Sequence, residues 1–291
     1  MKRFISRIIL LAAVFSMTGM IGCKTMDTIS KGIDDSVKRI EAKKASKQQP
    51  KVVKEEKPAE TKDNKCKELV VFVKEGKLDQ VKKFIDQGCD INAKVNNQGE
   101  NVLIVAIKYY KLEIVKLLLE KGADVNSMDK KGTALMWSLR SRNWANNMEM
   151  IKLLLEKGAD IEVKTRSGQT ALMLAAGKGK IDIIKLLLEK GADVNVQDNK
   201  GENAILHSVK GNIQALKILV EKGADVNSQD NKGYTALMKA IDRDVTVIAK
   251  VLVEKGADVN IKDKNGETAL MKAEKRNNTK VVELLKAAGA K

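Results

Sequence analysis

The chain has 291 residues, 43% hydrophobic and only 3% aromatic, so its core must be built from aliphatic side chains. One histidine and three cysteines argue against a site of several histidines, a Ser-His-Asp triad and a disulfide-rich scaffold. The formal net charge is +16, so the chain is basic, and the meaning of that charge depends on where the basic residues lie.

The N-terminus has the pattern of an export signal. Basic residues precede an apolar run over 8–21, which as a helix would rise about 21 Å, short of the roughly 30 Å bilayer core. Residues 1–22 are therefore predicted to be a signal peptide rather than a spanning helix. The run ends in Met20-Ile21-Gly22-Cys23, which resembles the bacterial lipobox, with Met20 where Leu is usual. The resemblance implies that Cys23 carries acyl chains such as palmitate. Ordinary cleavage beside a free Cys23 is the alternative.

The segment that follows is predicted to be a lipid-anchored flexible tether over 23–63. It is rich in Lys, Glu, Ser and Gln, holds both prolines, and cannot bury enough apolar surface to become ordered. Apolar residues do recur at helical spacing between 29 and 40. Either a membrane-surface helix or a marginal helix fits that spacing.

The rest of the chain, 64–291, repeats one unit of about 33 residues. Gly-Cys-Asp-Ile-Asn begins at Gly88, and Gly-Ala-Asp variants begin at 122, 158, 191, 223 and 256. A truncated Gly-Ala-Lys begins at Gly289. The predicted repeats end near 95, 129, 165, 198, 230, 263 and 291.

Each copy predicts a helix, a loop, a second helix and a turn. In the fourth copy, Thr170 is an N-cap before Ala-Leu-Met, and a second helix with an apolar stripe runs over 181–190. Gly191 then takes the left-handed position after the helix, and 198–201 forms a turn. Neither helix can bury its apolar face alone, but stacked copies can. The same cap role is expected for Asn101, Thr133, Asn203, Thr235 and Thr268.

This unit resembles the ankyrin repeat, whose first helix begins Thr-Pro-Leu-His. The chain has Ala or Val in place of the proline, as at Ala171, and Met, Ile or Leu in place of the histidine, as at Met173. The resemblance implies an all-α solenoid of about seven ankyrin repeats with polar end copies. In the family the histidine helps to link adjacent turns, so its replacement puts those hydrogen bonds in doubt.

Cys66 and Cys89 fall in the first copy, before its first helix and after its second. Antiparallel helices bring those ends together, and an exported chain meets an oxidising compartment. A disulfide between them is therefore one prediction. The alternative is that Cys89 replaces the usual buried Ala while Cys66 stays exposed.

We find no pattern that predicts catalysis. The glycines near 177 lack the spacing of a phosphate loop, and Asp263-Lys264-Asn265-Gly266 reads as a turn rather than a calcium loop. His207 is expected to lie alone on a helix surface. We therefore expect no enzyme activity, no catalytic residue, no metal, no cofactor and no small-molecule substrate. Evenly spread basic residues and export also argue against a nucleic-acid partner.

The family resemblance implies that a protein partner binds at the hairpin tips and on the concave face of the first helices. The residue after each Ala-Leu-Met triplet varies along the chain, and the third copy is irregular, with an insertion and both tryptophans. Aromatic and Arg clusters are common interface anchors. Alternatively, Trp144 folds back on Trp137 to hold a longer loop. The predicted partner-binding residues are Tyr109, Tyr110, Trp137, Arg142, Trp144, Leu174 and Tyr234.

The sequence thus predicts a non-enzymatic interaction scaffold, a membrane-anchored lipoprotein of the bacterial envelope facing the periplasm or the cell surface. Three alternatives remain open: an inhibitor or regulator of an exported enzyme, a structural protein without a single specific partner, and a host-directed surface protein.

Overall fold

In the computed structural model, the backbone is described for residues 62–140, 147–210 and 212–291, and side chains are described from Glu68 onward. The predicted signal peptide, Cys23 and most of the predicted tether lie outside these residues. So do Arg142 and Trp144 and the side chain of Cys66.

The described residues form fourteen α-helices and no β-strand, so the predicted all-α fold is confirmed. The second helix of every copy has nine residues. The helices are α1 Lys62–Glu75, α2 Leu78–Asp86, α3 Val102–Lys108, α4 Leu112–Glu120, α5 Ala134–Arg140, α6 Met148–Glu156, α7 Ala171–Gly177, α8 Ile181–Glu189, α9 Ala204–Ser208, α10 Ile213–Glu221, α11 Ala236–Asp242, α12 Thr246–Glu254, α13 Ala269–Lys275 and α14 Thr279–Ala287.

The predicted N-caps start the first helices. Thr170 Oγ1 accepts a hydrogen bond from Met173 N at 3.4 Å, and Asn101 Oδ1 accepts one from Ile104 N at 3.0 Å. Each bond satisfies an amide that the helix itself leaves unpaired. The same contact is made by Thr133, Asn203, Thr235 and Thr268.

Glycine ends each second helix, as the repeat pattern predicts. Helix α8 ends at Glu189, Lys190 is its C-cap, and Gly191 has φ +89°. Only glycine adopts this left-handed conformation without steric cost.

Stacking of the copies makes one continuous core. The first helices are the most deeply buried elements, and six of the seven residues of α3 are at most 1% exposed. Each first helix packs on its own second helix and on the first helices of neighbouring copies. A single cluster of buried aliphatic side chains therefore runs from Leu69 to Leu285, which no copy could form alone.

The Gly-Ala-Asp-Val-Asn motif joins each copy to the next. Asn126 Oδ1 accepts from Asp160 N at 2.8 Å, and Asn126 Nδ2 donates to Gly158 O. Where Glu162 replaces the Asn, its Oε1 accepts from Asp193 N at 2.8 Å. The motif is therefore a hydrogen-bonding unit between copies as well as a helix terminator. Its other acceptors are Asn92, Asn195, Asn227 and Asn260.

We call the six four-residue turns between copies the tip turns; they lie at 96–99, 129–132, 165–168, 198–201, 230–233 and 263–266. Most neighbouring tip turns are joined by one backbone hydrogen bond, from the second residue of one turn to the third residue of the turn before. Asn199 N donates to Ser167 O at 3.0 Å in this way, and Asn231 N donates to Lys200 O at 2.8 Å. Each such bond is a rung between successive turns.

The last copy is polar where the inner copies are apolar. Residues 274–277 are exposed, as predicted for an end copy, although Met271 is also 45% exposed. Across the described ranges, none of the helices has the length and apolar character needed to cross a bilayer.

Candidate functional site

In four copies, the residue after the Ala-Leu-Met triplet or its variant contacts the tip turn that precedes its own helix. Trp137 Nε1 donates to Asp129 Oδ2 at 2.9 Å, and His207 Nε2 lies 3.1 Å from Asp198 Oδ2. Lys239 and Lys272 each place Nζ 2.8 Å from Oδ2 of the turn aspartate, Asp230 and Asp263 respectively. These polar side chains therefore hold the tip turn to the helix. We call this contact the turn lock.

The turn lock has an internal sequence rule. Where the residue after the triplet can donate a hydrogen bond or carry a positive charge, the turn begins with Asp. Where that residue is Val105 or Leu174, the turn begins with Asn96 or Thr165 instead. The turn lock is made by the residue after the position of the family's histidine, and it joins a turn to its own helix rather than linking adjacent turns.

His207 contradicts the expectation of a lone surface histidine. It is 5% exposed and lies between Asp198 and Glu202, at 3.1 and 3.6 Å. These three side chains bring their ligand atoms within 4.8 Å of one another, a spacing that a metal ion could use. However, Asp198 Oδ1 accepts from the amides of Lys200 and Glu202, and Glu202 also pairs with Lys239. The cluster is therefore satisfied as a turn lock.

The two lysines of the turn lock, the half-buried Lys239 and the buried Lys272, both form ion pairs. Lys272, 4% exposed, lies 2.8 Å from Asp263 Oδ2 and 2.9 Å from Glu267 Oε2. The Lys272–Asp263 contact is an ion pair by distance without the alignment of a hydrogen bond. Lys239 pairs in the same way with Asp230 and Glu202. Their charges are neutralised inside the protein, which leaves little charge for a partner.

Burial and ion pairing shift the pKa values of these groups in opposite directions. Burial alone raises the pKa of Asp263, but the Lys272 ammonium and the amides of Glu267 and Asn265 outweigh it and hold that pKa below its usual value. Burial lowers the pKa of Lys272, but Asp263, Tyr234 and Glu267 raise it above its usual value. Both groups are therefore charged at neutral pH, and each depends on the other.

Tyr234 belongs to this network. Lys272 Nζ donates to its hydroxyl at 2.9 Å and lies 4.2 Å from the ring centroid. The half-buried ring thus covers the Lys272–Asp263 pair. Its predicted role in partner binding remains a prediction.

Trp137 is surrounded by positive charge. Lys108 Nζ, Lys131 Nζ and Arg140 Cζ lie 4.8, 5.5 and 5.2 Å from the ring centroid. Lys108 also pairs with Glu100, which is nearly buried. Burial lowers the pKa of Arg140, and Asp129 offsets this only in part. The side of the array around α5 is therefore cationic, unlike the neutralised C-terminal side.

The other predicted aromatic residues lie in the loop between α3 and α4. Tyr109 and Tyr110 are 46% and 49% exposed. The backbone of Tyr110 has φ +55°, a left-handed conformation that residues other than glycine adopt mainly in tight turns. Lys74 Nζ lies 5.7 Å from the Tyr109 ring. Of the predicted binding residues that the structure describes, these two are the most exposed.

Leu174 is half-buried against the core, and Arg142 and Trp144 lie outside the described residues. Cys89 is also half-buried against the core. Cys66 lies within α1 and not before it, so that part of the prediction was wrong. Because the Cys66 side chain is not described, the disulfide itself stays a prediction.

Sequence reasoning missed the aspartates of the tip turns and the cations around Trp137. A signal for the aspartates was present, since the residue after Ala-Leu-Met changes together with the first residue of the turn. Lys131 and Arg166 gave no signal, because the spread of basic residues along the chain is even.

Comparison with known proteins agrees with this architecture. Ankyrin repeat sequences match at residues 69–165, 143–230 and 208–291, and the chain belongs to the ankyrin repeat family. Ankyrin repeats generally mediate protein–protein interaction, and such scaffolds are typically non-enzymatic. The crystal structure of the ankyrin repeat domain of Bcl-3, described as a unique member of the IkappaB protein family, is similar in fold. It is 29% identical with a TM-score of 0.64, and the match covers 75% of this chain and 97% of that one. No curated protein matches the chain.

Proposed function

We propose that the protein is a non-enzymatic scaffold that binds a protein partner and is held at the bacterial envelope by a lipid on Cys23. One observation carries the binding function. Most aliphatic side chains of the described residues are buried in the core, and the exposed aromatic side chains among those residues are Tyr109 and Tyr110, in the loop after α3. Tyrosines are favoured interface anchors because they bury a large area at low entropic cost.

In this proposal, 1–22 directs export, 23–63 spans the distance from the membrane, and 64–291 presents the binding surface to the periplasm or the cell surface. The cationic side around Trp137 lies next to the exposed tyrosines in the order of the copies. The partner then contacts the concave side and the hairpin tips of the second to fourth copies.

A cross-linking experiment tests the binding function. The full chain would be incubated with envelope extract, cross-linked, and the captured proteins identified by mass spectrometry. The test variant is Tyr109→Ser with Tyr110→Asn, since Asn tolerates the positive φ of position 110. The control is Val247→Ser, because Val247 is 57% exposed on α12, away from the tyrosines.

We expect one protein to be enriched by the wild type and by the control and to be lost with the tyrosine variant. Equal, diffuse capture by all three chains would contradict a specific partner and would favour the purely structural alternative.

A labelling experiment tests the lipid anchor. Cells would be fed an alkyne analogue of palmitate, and label on the wild type would be compared with label on Cys23→Ser and Cys66→Ser variants. Label that is lost only with Cys23→Ser supports the anchor. Label that persists in that variant, or is absent from the wild type, contradicts it.

A further inference from the structure

The ladder of rungs between tip turns breaks at one place within the described residues. Lys130 N donates to Gln98 O, and three later rungs join the turns from 165–168 to 263–266. The rung between the turns 129–132 and 165–168 is missing. By the pattern of the other rungs, Arg166 N would donate to Lys131 O. Instead, Lys131 O accepts from Arg140 Nη2 at 2.7 Å, and no described residue accepts from Arg166 N.

The break leaves a groove between two neighbouring tip turns. Its volume is about 480 Å³. Trp137 and Thr165 lie among the residues that line it, together with Lys130, Lys131, Arg140, Arg166 and Ser167. This gap coincides with the irregular copy, in which the first residues of successive turns are 36 positions apart, from Asp129 to Thr165, rather than 32 or 33.

The cations of this groove, Lys130, Lys131, Arg140 and Arg166, form no ion pair with any described residue. Two carboxylates act on them from nearby, Glu100 on Lys131 and Asp129 on Arg140, but Glu100 is already paired with Lys108. Asp129 already accepts hydrogen bonds from Trp137 Nε1 and from the amides of Lys131 and Gly132. Lys178, the C-cap residue of the neighbouring helix α7, donates to Arg140 O and places a further positive charge next to the cations of the groove, outside its lining.

Burial, followed by repulsion from Lys180 and Arg140, lowers the pKa of Lys178, which lies outside the lining of the groove. An anion placed in the groove would meet the open amide of Arg166 and pair with the Lys131 and Arg140 side chains that lie around the Trp137 ring. Carboxylates of a peptide satisfy both conditions.

We propose that this groove, which we call the Trp137 groove, binds an acidic segment of the protein partner. The proposal rests on the proposed scaffold function and names the chemistry of the partner. Two observations favour a peptide over a small anion: the groove spans two turns, and its cations are spread along it rather than gathered at one point. The broken rung supplies a free backbone donor of the kind that an extended peptide uses.

A titration with a defined probe tests this proposal. N-acetylated octaglutamate would be titrated into the purified full chain at low salt, with binding measured by calorimetry and tryptophan fluorescence. The test variant is Lys131→Gln with Arg166→Gln. The matched control is Lys190→Gln with Lys222→Gln, which removes two charges from exposed, equivalent C-cap positions of α8 and α10.

We expect the test variant to lose octaglutamate affinity about tenfold or more, and the control to keep the wild-type affinity. Equal losses in both variants would overturn the proposal, since diffuse charge would then explain the binding. Inorganic phosphate and phosphatidylglycerol vesicles would be run as further probes. Binding of either through Lys131 and Arg166, without binding of octaglutamate, would also overturn it.

The partner-capture experiment separates this proposal from the scaffold function. A partner that is captured equally by the wild type and by the Lys131→Gln/Arg166→Gln variant leaves the scaffold standing and overturns the groove as its contact. A chain that captures no partner yet binds octaglutamate through these residues contradicts the scaffold function alone.

Discussion

The residue after the Ala-Leu-Met triplet has opposite roles in the two halves of the array, the second to fourth copies and the fifth to seventh copies. In the C-terminal copies, the buried Lys272 and the half-buried Lys239 are paired with the aspartates of their turns. Around the third copy, Trp137 occupies that position, and the nearby cations Lys131 and Arg140 form no ion pair with a carboxylate of the described residues. A charge that faces inward stabilises its own copy, and a charge that faces outward is available to a partner.

This difference shows that the net charge of a copy does not locate the basic surface that a partner can reach. The C-terminal copies contain lysines at the position that sequence reasoning assigned to the concave binding surface, yet those ammonium groups are the least available. A cation is unavailable where it is itself the residue that pairs with the turn aspartate, as Lys239 and Lys272 are; where Trp137 takes that position, the nearby cations are left outside the pair.

The largest effect is expected from Lys272→Met. Loss of this ammonium leaves the fully buried Asp263 carboxylate without its counter-charge, and the free energy of unfolding should fall by about 3 kcal/mol. Urea unfolding followed by circular dichroism measures it. The matched control is Lys275→Met, whose 67% exposed ammonium also pairs with Glu267, and which should cost less than about 1 kcal/mol.

A pair of substitutions, taken from the fourth copy, should restore the stability that Lys272→Met loses. The turn of that copy begins with Thr165 and its helix carries Leu174, so Asp263→Thr with Lys272→Leu copies a pair that the chain already uses. We expect this double variant to lie within about 1 kcal/mol of the wild type, because an apolar pair replaces a buried ion pair at little cost. A double variant as unstable as Lys272→Met would show that the turn lock is not a self-contained pair.

Acid should weaken the C-terminal copies through the same groups. The pKa values of Asp230 and Asp263 lie below their usual value of 3.8 in the folded protein, because nearby lysine and amide groups outweigh the effect of burial. Their contribution to stability is complete above the unfolded value and is lost as the pH falls through the lower folded value. The free energy of unfolding should therefore hold from neutral pH to about pH 5 and decline below about pH 4.

Urea unfolding at a series of pH values measures this decline. The Asp263→Thr/Lys272→Leu variant lacks one of the two groups, so its decline should be shallower. Parallel curves for the two chains would contradict the assignment of acid sensitivity to the turn lock.

Most of the fold could be predicted from the sequence, because it rests on local patterns. The N-cap at Thr170, the helix end at Gly191 and the turn at 198–201 each follow from residue type and spacing. The environment of His207 could not be predicted in this way. Its burial depends on a turn and a helix that meet only when the copy is folded, and its neighbour Glu202 is paired with Lys239 from the next copy.

The candidate site was predictable only in part. The irregular third copy and Trp137 stood out by composition. The groove itself could not be predicted, because it depends on one missing backbone hydrogen bond and on an arginine side chain that occupies its acceptor.

A smaller effect is expected from Trp137→Leu. The change removes the neutral donor to Asp129 Oδ2 and should cost about 1 kcal/mol, well below the cost of Lys272→Met, because Asp129 keeps two amide donors. The melting temperature by circular dichroism measures it. A loss as large as that of Lys272→Met would mean that the ring carries the packing of the whole copy.

The smallest effect is expected from a change in salt concentration, which distinguishes repulsion between exposed charges from pairing of buried charges. Raising the salt concentration from 0.05 to about 0.5 M shortens the Debye length to a few ångströms and screens exposed charges far more than buried ones. Repulsion among Arg140, Lys178 and Lys180 should weaken, and amide hydrogen exchange over 165–180 should slow by an amount equivalent to less than about 0.5 kcal/mol. Exchange over 263–275 should not change, because the Lys272–Asp263 pair is buried.

In Lys178→Gln, the response of 165–180 should shrink, since one of the repelling charges is gone. An equal response in both segments of the wild type would place unscreened charge in the C-terminal copies too, and the contrast between the two halves of the array would fail.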